Sequence, residues 1–433
     1  MNASPLISHY SPEQQMLTEG GSVYNQGQMV DSAIKLANKI PEHKYVINLC
    51  ANRHQFIRAF MAAILDKKIT LLPATKTAEN ILKLSKSFEN SIVVSDQPTN
   101  FEGVKQFLLP KSISTKTDSF VKSSPLIGND QLCAFAFTSG TTGTPTIHPK
   151  SWGTLSITAG LLAHRFGLSD NGYEILATVP TQHMYGLEMT ALVSLQGMAK
   201  VSSLHPFYPK DILASLKENT ILVTTPIHLK ALIDSSLECP QISKIISATA
   251  PLSIELAQLA GDRFCCSVEE IYGCTEGGSI ATRETIKNEL WKPLDGLTVT
   301  QDEESFILAG SHLPEPIHLQ DQLVIQPEGF KLEGRNTDML NIGGKRYSLA
   351  DLNLKLSEIK GITDSIVFLR DPLVDDRPVA IVVSSRPEKE IKMELAKKVD
   401  PVFIPRPILI ADRLPRNETG KLIQASLIKM LNQ

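Results

Sequence analysis

Short apolar runs alternate with longer stretches of helical spacing along most of the chain. Residues 44–50 (KYVINLC) read as a buried strand, and Arg53–Leu65 as the helix that follows it. Ile69–Leu72 and residues 174–179, 221–224, 242–247 and 267–271 repeat the strand pattern. Residues 152–166, 187–198, 209–216 and 254–259 repeat the helical one. Alternation on this scale predicts α/β architecture with largely parallel sheets. The apolar run 133–137 stops abruptly in a loop of Thr, Ser and Gly.

After Gly334 the pattern changes. Helices are expected at 349–359, 389–398 and 422–431, and strands at 365–370 and 379–383. The expected organisation is a large N-terminal domain of layered α/β sheets, residues 1–336, and a small α+β C-terminal domain, residues 337–433. Between them, residues 335–345 hold Asn, Asp and paired glycines and form a bendable segment.

Composition narrows the function classes. At 433 residues with 42% hydrophobic and 21% charged positions, the chain is neither disordered nor a disulfide scaffold. Lys plus Arg total 43 against 46 Asp plus Glu, a net charge of -3, so nucleic acid is not an expected partner. The apolar runs fall short of the about 20 residues of a membrane span, so no membrane span is expected. Residues 1–15 have neither a basic start nor an apolar signal core, and a cytoplasmic location is expected. The six cysteines lack C-x-x-C spacing and read as reduced, mostly buried thiols rather than metal ligands.

The most informative stretch is Thr138-Ser139-Gly140-Thr141-Thr142-Gly143-Thr144-Pro145-Thr146. Its glycines free the backbone to bend. Its hydroxyls and backbone N–H groups suit a polyphosphate. Taken alone, these residues leave a Thr-rich surface turn open. The spacing G-x-x-x-x-G-K-[ST] is not met, which excludes a P-loop NTPase.

Residues 138–145 resemble the phosphate loop of the adenylate-forming superfamily: acyl-CoA synthetases, aryl acid ligases, adenylation domains and luciferases. Further segments match in that family's order. Ser247-Ala248-Thr249-Ala250-Pro251-Leu252 resembles its adenine-pocket segment, and Tyr272-Gly273-Cys274-Thr275-Glu276 its Tyr-Gly-x-Thr-Glu motif. Gly334-Arg335-Asn336-Thr337-Asp338 with Gly344-Lys345-Arg346 resembles the ribose-binding arginine and the interdomain hinge. Leu414-Pro415 through Gly420-Lys421 resembles the C-terminal loop that delivers the catalytic lysine.

The resemblance implies an AMP-forming acid–thiol ligase with a mobile C-terminal domain. Such an enzyme uses ATP and Mg²⁺ to turn a carboxylic acid into an acyl-adenylate. It then passes the acyl group to a phosphopantetheine thiol, on an acyl carrier protein or on CoA. By the same resemblance Thr138, Ser139, Thr141 and Thr142, with Gly140 and Gly143 between them, hold the β- and γ-phosphates. Thr275 donates to the α-phosphate and Glu276 binds Mg²⁺. Ala248, Thr249, Ala250, Tyr272 and Gly273 form the adenine pocket, and Asp321 and Arg335 hold the ribose. Lys421 bridges the carboxylate and the α-phosphate, and His183 gates the acyl pocket within Gln182–Glu188. Thr224-Thr225-Pro226 forms another pocket wall. A non-catalytic nucleotide-binding regulator on the same fold stays open, although a pure sensor need not keep both Glu276 and Lys421.

Adenylation domains for amino acids place an Asp in the pocket segment to pair the substrate ammonium. None occurs between Gly172 and Lys210, so the expected acid is aryl or acyl. The chain departs from the family where Thr146 replaces a loop lysine, for which Lys150 is a candidate substitute, and where Asn341 replaces a hinge lysine. The Thr-Gly pair expected before the ribose aspartate is also missing. Pro145-x-x-His148-x-Lys150-x-Trp152 with His183-Met184-Tyr185-Gly186 is most similar to the compact acyl-carrier-protein ligases of aryl-polyene and xanthomonadin-type pigment clusters. Lys345, Arg346, Arg413 and Arg416 are the expected basic patch for an acidic carrier helix.

Overall fold

The computed structural model describes residues 2–73, 75–110, 120–138, 146–169, 172–303, 305–335, 339–342, 345–370, 377–416, 422 and 424–431. Two large sheets dominate the first three quarters of the chain. One has six strands in the order Thr146–Ser151, Leu132–Thr138, Ile69–Leu72, Tyr45–Asn48, Ser91–Ser95, Gln106–Leu108. The other has nine, and at its centre Ser267–Cys274, Lys244–Ser247, Thr220–Thr224, Glu174–Ala177 and Lys200–Ser202 run parallel. The central strands are buried on both faces, which is why they read as unbroken apolar runs.

The helix Arg53–Leu65 stands where the spacing predicts it, and its N-cap Asn52 accepts from the Gln55 N–H. Trp152–Arg165 and Ile254–Phe264 are capped in the same way by Ser151 and Ser253. Helices Gln26–Ala37, Ala78–Ser87 and Pro226–Asp234 add to those expected. The predicted helix 187–198 is interrupted: it opens as a π-turn, Leu187–Leu192, before Val193–Gln196.

The parallel pattern does not extend to the edges. Gly278–Glu284 pairs antiparallel with Ser267–Cys274, and the strands from Leu297 to Arg335 form antiparallel ribbons. Beyond them a separate aliphatic core runs from Leu340 to Ile408 under the helices Leu349–Ser357 and Glu388–Ala396. The mixed α/β class is thus observed, with a large region followed by a small one. The expectation of mostly buried thiols is corrected in part: Cys50 and Cys133 are buried, Cys239, Cys266 and Cys274 are half-buried, and Cys265 is exposed. Among the described residues no helix is long and apolar enough to cross a membrane.

Candidate functional site

In an open α/β sheet the side chains free to meet a ligand lie beyond the carboxyl ends of the parallel strands. The segments singled out by sequence collect there. Ala248, Thr249 and Ala250 follow Lys244–Ser247, Thr225 follows Thr220–Thr224, and residues 178–183 follow Glu174–Ala177. Cys274, Thr275 and Glu276 end the neighbouring strand. Thr138 ends the strand Leu132–Thr138 of the other sheet. Ser139, Gly140, Thr141, Thr142 and Gly143 lie outside the described residues, as do Lys421 and Asp338 of the expected hinge.

Thr249 has φ +81°, a costly value for a β-branched residue, and both it and Ala250 are exposed. The segment is held from below by Glu270, whose carboxylate accepts from the Leu252 N–H at 3.1 Å and from Arg283 Nε at 2.7 Å. Burial raises the Glu270 pKa, and Arg283 opposes that shift.

Tyr272 is buried against Trp291 and Phe330. Its hydroxyl donates to Asp321 Oδ2 at 2.7 Å. Asp321 is in turn the register partner of Arg335 across an antiparallel pair. Tyr272 of the expected adenine pocket and Asp321 of the expected ribose pair are therefore in direct contact, although Asp321 lacks the Thr-Gly pair expected before it. Gly273 has no room for a side chain: a Cβ there would stand 2.4 Å from Gly278 O.

Glu276 is exposed at the turn leaving this strand, and its Oε1 lies 3.6 Å from His148 Nε2. Burial depresses the His148 pKa against the pull of that carboxylate. Thr275 beside it is half-buried. No described group of three or more His, Cys, Asp or Glu clusters as a metal cage. A single open carboxylate still fits a hard cation that takes its other oxygens from phosphate and water.

His183 precedes a short helical turn and its carbonyl accepts from the Leu187 N–H at 2.7 Å. Next to it, the Tyr185 hydroxyl donates to Thr224 O at 3.2 Å and Ile246 O at 2.8 Å, tying the pocket segment to two strand ends. Thr178, Thr224 and His228 form a buried hydroxyl–imidazole chain in the same wall, at 2.9 and 2.8 Å.

Sequence reasoning missed the supports. Arg53 is 2% exposed, and its guanidinium donates to Ser202 O, Leu204 O, Ala177 O, Val179 O and Thr181 Oγ1. It fastens the ends of two strands and the start of the His183 segment. Burial pulls its pKa down to about 10. Lys150, the candidate substitute for the missing loop lysine, donates its ammonium to the Glu276 backbone carbonyl. Arg416, one of the four cations of the expected basic patch, grips Asp364 with two nitrogens at 2.6 and 2.8 Å.

These strand ends gather the sequence motifs beside a large α/β sheet that is followed by a small second core. The chain belongs to the AMP-binding enzyme family: residues 29–304 match it, and residues 355–421 match the AMP-binding enzyme C-terminal domain. It is similar to a 4-coumarate–CoA ligase of Rhodobacter capsulatus, 28% identical over 230 residues, which are 53% of this chain and 56% of that ligase. That match spans little more than half of the relative's own length. A 3,4-dihydroxybenzoate–[aryl-carrier protein] ligase of Bacillus anthracis is 22% identical over 68% of this chain and 73% of its own. In fold, the chain resembles the O-succinylbenzoate coenzyme A synthetase of Bacillus subtilis solved with ATP and magnesium ion. The TM-score is 0.79 at 19% identity, covering 97% of this chain and 98% of that one.

Proposed function

We propose that the protein is an AMP-forming acid–thiol ligase. It activates an aryl or acyl carboxylic acid with ATP and loads it onto the phosphopantetheine thiol of an acyl carrier protein. The observation that carries this reading is the Tyr272–Asp321 hydrogen bond, on the strand that leads into the Glu276 turn and beside the strand that leads into the Thr249 segment. The aryl-carrier-protein ligase among the relatives supports the carrier, and the 4-coumarate–CoA ligase favours CoA as the second reading.

In this reading adenine packs on the exposed Thr249–Ala250 turn, next to buried Ala248, and against Tyr272, and the ribose hydroxyls meet Asp321 and Arg335. Attack of a carboxylate oxygen on the α-phosphate brings two anions together, so donors and cations must be placed in advance. Thr275 donates to the α-phosphate, the Thr138–Gly143 loop holds the other two, and Lys421 faces the forming bond. Mg²⁺, held by Glu276, neutralises phosphate charge when bound. His183 and the Thr178–Thr224–His228 wall shape the acid pocket, which offers no Asp for an amino acid's ammonium. Residues 335–345 serve as the hinge about which residues 337–433 turn, so that Lys421 withdraws and the thiol enters. The similarity to aryl-polyene pigment ligases points to an aromatic acid.

ATP–pyrophosphate exchange against aryl, fatty and amino acids tests the first half-reaction. Exchange with an aryl or acyl acid is expected, and exchange with amino acids alone would overturn the substrate assignment. Loading of holo carrier protein against CoA, compared as kcat/KM with 4-hydroxybenzoate and a medium-chain acid, tests the second. A preference for CoA would replace the carrier while leaving adenylation intact.

A further inference from the structure

The turn that carries Thr275 and Glu276 is gripped from two sides by buried charges that the chemistry above does not use. Lys150 lies on the edge strand Thr146–Ser151 and is 2% exposed. Its ammonium reaches 126 positions along the chain to the Glu276 carbonyl. Glu188 is also 2% exposed and sits on the π-turn Leu187–Leu192. Its carboxylate accepts from the Ser279 N–H at 3.3 Å and from the Ser279 hydroxyl.

Neither charge is a cheap way to hold a loop. An ammonium and a carboxylate taken out of water cost more than the apolar side chains that would pack there, so such a pair is weak evidence for stability. Here each is spent on the backbone of one short turn. Gly278 has φ +73°, and a Cβ on it would stand 2.5 Å from Glu188 Oε1, so the carboxylate lies directly against the turn. The π-turn supports this placement, since an extra residue in a helical turn commonly marks a functional site. Inside the turn the Gly277 N–H is taken up by Cys274 Sγ at 3.2 Å. Burial pushes that thiol up to about 12. Burial also lowers Lys150 and raises Glu188, and each charge opposes the shift of the other.

We propose that Lys150 and Glu188 are paired positioning residues. They clamp the turn between Glu276 and Ser279 and so fix the Glu276 carboxylate and the Thr275 hydroxyl for MgATP. This rests on the reading of Glu276 as the magnesium ligand. A purely structural pair would only balance charge, and the two roles separate in a double variant. Lys150→Met and Glu188→Gln each leave one buried charge without its counterpart, whereas the double variant leaves none.

The measurements are calorimetric titration of ATP with Mg²⁺ and in EDTA, and thermal denaturation, on the full chain. Each single variant should weaken MgATP about ten-fold while ATP in EDTA changes less than about two-fold, and should melt earlier. The double variant should recover the melting temperature but keep the weakened MgATP affinity, because the contact to the Glu276 carbonyl is still missing. Parental MgATP affinity in a folded Lys150→Met protein, or full recovery of affinity in the double variant, would overturn the clamp. Since binding is read without turnover, a parent that exchanges no pyrophosphate would sink the ligase reading and leave this test decisive.

Discussion

Buried polar side chains divide the two regions of this molecule. Among the described residues, every buried polar or charged side chain lies between Gln26 and His312. Past Leu340 the buried side chains are aliphatic or aromatic: Leu352, Leu356, Val382, Ile391, Leu395 and their neighbours. All ten histidines also fall before residue 319. The large region therefore contains groups that hold other groups, such as Arg53 on carbonyls and Glu270 on the Thr249 segment. The small region is built on an apolar core, and its polar side chains are half-buried or exposed, although the Ser365 hydroxyl oxygen is buried. Lys230 of the large region meets it through main-chain carbonyls, those of Ser357 at 2.8 Å and Ile362 at 2.9 Å.

The largest expected effect tests whether the small region supplies the catalytic cation. Lys421→Ala should slow ATP–pyrophosphate exchange by roughly 10²–10³-fold, with ATP binding little changed. An unchanged exchange rate would place the essential cation in the large region.

Leu352→Ala empties a fully buried position in the small core and should cost about 2–5 kcal/mol. If the regions are separate bodies, calorimetry will show one transition moving while the other, and MgATP binding to the large region, stay. A single transition that moves as a whole would merge the two.

Tyr272→Phe removes the hydroxyl that donates to Asp321. ATP should bind about ten-fold more weakly, roughly 1.5 kcal/mol for a hydrogen bond to a charged group. An unchanged affinity would separate the tyrosine from the nucleotide site.

The smallest effect per residue is in pH. Burial depresses His54, His205, His228 and His312 below 6.5, His205 to about 4. As pH falls below about 6.5 the unfolded chain takes up protons that these native imidazoles refuse, so stability is lost on acidification. The large region's melting temperature should drop between pH 6.5 and 5 while the small region's holds. His205→Gln should flatten the drop, and equal slopes in both regions would remove the histidines as its cause.

Local order was legible in the sequence because burial within a few residues sets the period. The helix Arg53–Leu65 and the strand Ile69–Leu72 stand residue for residue where the spacing puts them. The order of the motifs along the chain was equally plain. The ribbons between Leu297 and Arg335 were not, since half-exposed antiparallel strands carry only a weak alternation. Nor was the π-turn, whose apolar residues also suit an ordinary helix. What tertiary structure alone decided is who meets whom across the sheets. It set Tyr272 on Asp321, Arg53 on the strand ends, and Lys150 with Glu188 around the Glu276 turn. Those partners are far apart in sequence, and a buried charge takes whichever donor or acceptor the folded topology brings to it.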